Sequence, residues 1–187
     1  MNFQQYCILI IDDCAEDREL YRRYLNRDRV VVYSIAEVES GEDALEKLQF
    51  IQPDLILLDY LLPDLNGLEF IEELKRQTHK LPPIIMLTGQ GSEAIAVEAM
   101  KSGVKDYLVK GQLTPEKLSL SVNNVLQQTR LKFLLTKNRQ QQQLIAETAL
   151  RIRQSLNLSE ILNTAVQEVQ LLLKCDRVII YRFADDR

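Results

Sequence analysis

LILLDYLLPDLNG, residues 55–67, places a carboxylate, Asp59, directly behind four apolar residues, with Pro63 and Gly67 close after it. Four consecutive apolar residues read as a strand buried on both faces, the condition of a central strand in a parallel sheet. A carboxylate at the end of such a strand either meets solvent or performs chemistry. On either side the pattern repeats: CILII (7–11), VVYSI (31–35), PIIML (83–87) and DYLV (106–109) are further strand candidates. Between them ELYRRYLN, GEDALEKLQF, GLEFIEELKRQ and SEAIAVEAMKS carry apolar residues at helical spacing. Fivefold β-then-α alternation predicts an α/β fold, a doubly wound five-stranded parallel sheet with helices on both faces. The functional crevice of such a sheet lies at the carboxyl ends of its strands.

Composition narrows the function classes. The chain has 187 residues, 46% hydrophobic and 27% charged, with a net charge of −4. That suits one ordinary domain plus further structure, and it supplies no global basic field for nucleic acid or an anionic membrane. Cys7, Cys14 and Cys175 are odd in number and lack C-x-x-C spacing, so neither a disulfide framework nor a zinc site is expected. With no leader-like N-terminus and no apolar run of about 18 residues, the expectation is a soluble, cytoplasmic protein.

Reading the strand ends in order gives Asp12 and Asp13, then Asp59, Thr88 and Lys110. Each alone has an ordinary alternative: a loop or cap aspartate, a solvated acidic pair, a surface lysine. Together they place carboxylates in one crevice, where mutual repulsion calls for a cation. An all-oxygen site suits Mg²⁺. Lys110 adds a second positive charge and Thr88 a hydroxyl, which makes a phosphoryl-transfer site with a carboxylate nucleophile.

On Asp12–Asp13, the D-x-x-x-P-x-x-x-G of Asp59, Pro63 and Gly67, Thr88 after PIIML, and Lys110 in DYLVK, the chain resembles a CheY-like response regulator receiver domain of two-component systems, over residues 3–128. The resemblance implies Asp59 as phosphoacceptor, and Asp12, Asp13, Asp59 and the backbone carbonyl of Leu61 as the Mg²⁺ ligands. It also implies Lys110 and Thr88 as partners of the phosphoryl group, with Thr88 and the aromatic Tyr107 as switch residues. The implied partner is a histidine kinase or phosphotransfer protein. Such a receiver promotes its own phosphorylation and turns over no separate metabolite. The competing expectation is a phosphorylation-independent interaction module on the same fold. Gly111 follows Lys110 where many receivers carry proline, so a cis bond is not expected there. Apolar Leu61, and Gln90 two places after Thr88, stand where the family varies phosphoryl lifetime, and Leu61 implies slow self-dephosphorylation. GQG (89–91) lacks the Lys-Ser/Thr of a P-loop, and His79 has no partner for catalysis.

Beyond Thr114, a cap with Pro115 at the first helical position, Leu118, Val122, Val125 and Leu126 form a face for the sheet. No Gly or Pro follows Pro115, and Leu131, Leu134, Asn138, Gln141, Ile145, Thr148 and Ile152 fall at spacings of three and four. Residues 129–156 therefore read either as a weak coiled-coil seam that pairs two copies or as a solvated helical linker. LSEILNTAVQEVQLLLK then predicts an amphipathic helix and CDRVIIYRF a strand. Residues 157–187 resemble the opening of a GAF domain, as in cyanobacterial multidomain sensors and hybrid histidine kinases, with the rest of that domain expected beyond this chain.

Overall fold

A computed structural model describes residues 5–27, 31–78, 80–89, 93–155, 158–179 and 181. The chain divides into two compact units, Met1–Lys132 and Phe133–Arg187. Five strands alternate with helices: β1 (Gln5–Ile11), α1 (Ala15–Leu25), β2 (Val32–Val38), α2 (Gly41–Lys47), β3 (Leu55–Asp59), α3 (Gly67–Gln77), β4 (Ile84–Thr88), α4 (Glu93–Ser102), β5 (Asp106–Val109) and α5 (Pro115–Ser155), whose first part belongs to the first unit. The strands form one parallel sheet in the order β2-β1-β3-β4-β5. The strand order reverses between β1 and β3, so the crevice of the doubly wound fold opens at their carboxyl ends.

The two-residue period of a strand assigns each apolar side chain to a face. Ile8, Ile10, Leu55, Leu57, Ile85 and Leu87 meet Tyr21 and Leu25 of α1 and Leu118, Val122, Val125 and Leu126 of α5. Their neighbours Leu9, Ile11, Ile56, Leu58, Ile84 and Met86 meet Ala44 of α2, Phe70, Ile71 and Leu74 of α3, and Ala99 of α4. Both faces being covered is why β3 and β4 read as continuous apolar runs.

Local chemistry sets the helix starts. Asn66 and Glu69 form a reciprocal capping box at α3, the Ser40 side chain accepts from Asp43 N–H at α2, and the Thr114 hydroxyl accepts from Lys117 N–H at α5. Asp64, in the loop after β3, also accepts from the N–H groups of Gly41 and Glu42 at 3.0 and 2.8 Å. It thereby ties that loop to the start of α2. The peptide bonds of the described residues are trans, and Lys110–Gln112 forms one 3₁₀ turn leading toward α5.

The division into units falls after Lys132, within α5. The second unit contains the remainder of α5 and α6 (Leu158–Leu173). Lys174 takes a left-handed φ of 47° at the end of α6, the conformation that ends a helix where no glycine is available. The expected strand differs: Val178, Ile179 and Tyr181 lie in no strand, and the rest of that segment, Ile180 and 182–187, falls outside the described residues. A single strand gains its hydrogen bonds only from a partner, and none is offered among the described residues of that unit. Cys7, Cys14 and Cys175 are free thiols. Among the described residues no helix is long and apolar enough to cross a membrane.

Candidate functional site

Four strand ends deliver the site. Asp12 follows β1 and is fully buried, exposed Asp13 is next, Asp59 ends β3, Thr88 ends β4 and Lys110 follows β5. Asp59 and Thr88 are also buried, at 4% and 2% exposure. Oxygens of Asp12, Asp13 and Asp59 lie within 4.8 Å of one another. Lys110 Nζ reaches Asp59 Oδ2 at 2.7 Å and Asp12 Oδ2 at 2.8 Å. It also reaches Asp17 Oδ2, on α1, at 2.9 Å.

The acidic pair is held from behind. Asp12 Oδ1 accepts from Cys14 N–H at 3.0 Å, and its Oδ2 accepts from the Tyr21 hydroxyl at 3.2 Å. Arg18, buried, donates to the backbone carbonyls of Asp12 and Asp13 at 2.7 and 3.2 Å. Its remaining nitrogens meet Glu39 at 2.6 Å and Glu37 at 3.5 Å, so the guanidinium bolts the loop after β1 to the end of β2.

Around Asp59 the backbone leaves no spare room. A Cβ on Gly67 would stand 3.0 Å from the Asp59 carbonyl oxygen and 3.2 Å from Tyr60 Cα, while Gly67 N–H donates to Tyr60 O at 2.7 Å. Gly67 is therefore favoured by the close approach of α3 to the acceptor strand, rather than by a turn conformation. Leu61 N–H makes a long 3.4 Å contact to Asp59 Oδ1, and Leu61 bridges Asn66 to close the loop that contains Pro63. The Leu61 side chain is exposed.

Burial pushes the Asp59 carboxyl above its ordinary range, opposed by the hydrogen bond and charge of Lys110. For Lys110, burial acts downward, but hydrogen bonds to Asp12, Asp59 and Asp17 outweigh it and hold the ammonium above its usual value. Burial and then the Asp12 charge raise the Tyr21 phenol, which stays a neutral donor. With three carboxylates on one ammonium and Asp13 clustered beside two of them, the site favours a further cation. Its donors are all hard oxygens, several of them carboxylate, which fits Mg²⁺.

Tyr107, in β5, is half-buried against the Met86 side of the core. Gln90, Gly91 and His79 lie outside the described residues. Sequence reasoning passed over Asp17 and Arg18 because it began this helix at Glu19, and it gave Tyr21, within that helix, no role at the site. The signal was present: Asp17, Tyr21 and Leu25 stand four apart, on the stripe whose later members are core.

Comparison with known proteins gives the same picture. The family model described as the response regulator receiver domain matches residues 8–123. The transcriptional regulatory protein ResD of Bacillus subtilis is 40% identical over 119 residues, 64% of this chain and 47% of the relative, so the chain spans under half of that relative's length. A crystal structure of a response regulator from Chloroflexus aurantiacus superposes with a TM-score of 0.59 at 31% identity, covering 66% of this chain and 98% of that one. The Mn²⁺-bound form of response regulator Rcp1 superposes at 0.54 with 26% identity, covering 62% and 88%.

Proposed function

The chain belongs to the response regulator receiver family, and on that premise we propose that it accepts a phosphoryl group from a histidine kinase or phosphotransfer protein onto Asp59. The observation that carries the reading is the joint geometry: three clustered carboxylates with Lys110 bonded at 2.7 Å to the one that ends β3. Asp12, Asp13 and Asp59, with the Leu61 carbonyl, would hold Mg²⁺, a proposal supported by their donor chemistry and by the Mn²⁺ of the similar Rcp1. When bound, the cation neutralises charge on the transferring phosphoryl group.

The chain's own residues do the rest. An Asp59 oxygen attacks phosphorus, and the bond from phosphorus to the donor breaks with its electron pair leaving on the donor. Oδ1, with only the long Leu61 contact, is the less engaged oxygen. Lys110 stabilises charge on the phosphoryl oxygens, and Thr88 supplies a hydroxyl at the neighbouring strand end. Thr88 and Tyr107 are the proposed switch. The exposed Leu61 side chain offers nothing to orient an attacking water, so the acyl phosphate is long-lived; a half-life of seconds would contradict this.

The domain plan proposed is a receiver over 3–128, a helical linker over 129–156 and the opening of a GAF-like domain over 157–187, in the manner of a hybrid sensor. Supporting it are the unbroken α5 and its exposed apolar residues, among them Leu131, Leu134 and Ile145. A parallel homodimer through that helix would carry the phosphorylation signal onward in the cytoplasm. Intact mass after incubation with acetyl phosphate tests the core of the reading. One phosphoryl group should be gained in the presence of Mg²⁺, and none after chelation or in Asp59→Asn. No gain by the folded wild-type chain would favour an interaction module that works without phosphate.

A further inference from the structure

Resting on the reading of Asp59 as phosphoacceptor, we propose that Asp17 is a positioning residue for Lys110, an anchor that holds the ammonium beside the acceptor before and after phosphoryl transfer. An ammonium group has three N–H donors. Lys110 directs them at three carboxylates from three different elements: Asp59 at 2.7 Å, Asp12 at 2.8 Å and Asp17 at 2.9 Å. Asp12 and Asp59 belong to the clustered oxygens that suit a cation, and Asp17 stands outside that cluster. Its place follows from the register of α1. Tyr21 and Leu25 on the same stripe are buried, Tyr21 reaches Asp12, and one turn earlier the stripe arrives at Asp17 beside Lys110.

The three partners differ in what happens to them. Once an Asp59 oxygen bonds phosphorus and the donor departs with its electron pair, the negative charge lies on the phosphoryl oxygens. Lys110 then turns one N–H from Asp59 Oδ2 to a phosphoryl oxygen. A cation bound by Asp12 and Asp59 draws on those same carboxylates. Asp17 takes part in neither event and goes on accepting its N–H from Lys110 throughout. Without it, a flexible four-carbon stem is held only by partners whose charge is being redistributed.

Asp17 also lies in the first turn of α1, where an acidic residue stabilises any helix, and the test must separate that role. Asp17→Ala, Asp17→Asn and Asp17→Glu are made in the full chain, with Lys110 intact and with Lys110→Met. Three quantities are read: the exchange-protected ¹⁵N signal of the Lys110 ammonium, the rate of phosphorylation by acetyl phosphate, and Tm. With Lys110 intact, Asp17→Ala should abolish the ammonium protection and slow phosphorylation about tenfold, with Asp17→Glu recovering part of both. In the Lys110→Met background the same change should alter the residual rate less than about twofold. Equal slowing in both backgrounds with a lowered Tm would reduce Asp17 to a helix-start residue and overturn the proposal. So would an unchanged ammonium signal in Asp17→Ala. Should Asp17→Ala fail to fold, the near-isosteric Asp17→Asn decides by the same readings. A wild-type chain that takes up no phosphoryl group sinks the reading of Asp59, while the ammonium signal still decides whether Asp17 anchors Lys110.

Discussion

In the sheet-bearing unit Ile8, Leu9, Ile10 and Ile11 of β1 and Leu55, Ile56, Leu57 and Leu58 of β3 have no exposed surface at all. In the second unit many large apolar side chains stand open, from 40% exposure at Val169 to 83% at Leu172. Alternation on a parallel sheet gives the apolar residues of these central strands partners from helices on both faces. A long helix has only its own turns beside it, so apolar residues along it stay open unless a further surface covers them. The first region is thus ordered by its own contacts and can hold carboxylates rigidly in a crevice. The second keeps apolar surface that its own described contacts leave open.

That contrast can be broken by mutation, and the strongest blow falls in the core. Phe70→Ala empties a fully buried site on the α3 face of the sheet and should cost about 3–5 kcal/mol, read as a large fall in the denaturant midpoint. Gly67→Ala, with its added methyl against Asp59 O, should cost about 1–3 kcal/mol and slow phosphorylation by displacing the acceptor strand. A parallel loss of rate and stability would bear this out, and a neutral variant would remove the steric account of that glycine.

Asp64→Ala should lose about 1 kcal/mol, since it frees the N–H groups of Gly41 and Glu42. Here pH sharpens the comparison. Slight burial acts upward on the Asp64 carboxyl, but hydrogen bonds from Gly41 and Glu42 outweigh it and hold it below the ordinary aspartate value. A depressed folded value means the contribution is full above about pH 4 and fades as pH falls through the folded value. The stability gap between wild type and Asp64→Ala should therefore narrow in acid. Smallest of all, Leu144→Ala in the exposed part of α5 should change monomer stability by less than about 0.5 kcal/mol. Any larger effect that grows with protein concentration would reveal a paired helix.

Much of this was legible in the residues because strands buried on both faces announce themselves. Helix α3 and strand β5 have the bounds that the apolar pattern predicts, and the face of α5 built from Leu118, Val122, Val125 and Leu126 meets the sheet. Errors arose where polar residues build an element. Helix α1 opens with Ala15, Glu16, Asp17 and Arg18, which show no apolar period, so its start and the contacts of Asp17 and Arg18 were missed. Strand β2 extends through Glu37, whose charge is answered by Arg18, while GEDALEKLQF leaves the α-helix after Lys47. The structural reason for Gly67 was not legible, because the approach of α3 to Asp59 is a tertiary fact that local sequence does not carry.

The central claim is that Asp59 carries the phosphoryl group, and trapping it chemically tests that most directly. Borohydride reduces an acyl phosphate to an alcohol, so treatment of the chain after acetyl phosphate and Mg²⁺ should convert Asp59 to homoserine, located by peptide mass mapping. Conversion at residue 59, absent when Mg²⁺ is chelated, is the predicted result. Conversion at Asp12, Asp13 or Asp17 instead, or no conversion in folded protein, would contradict it.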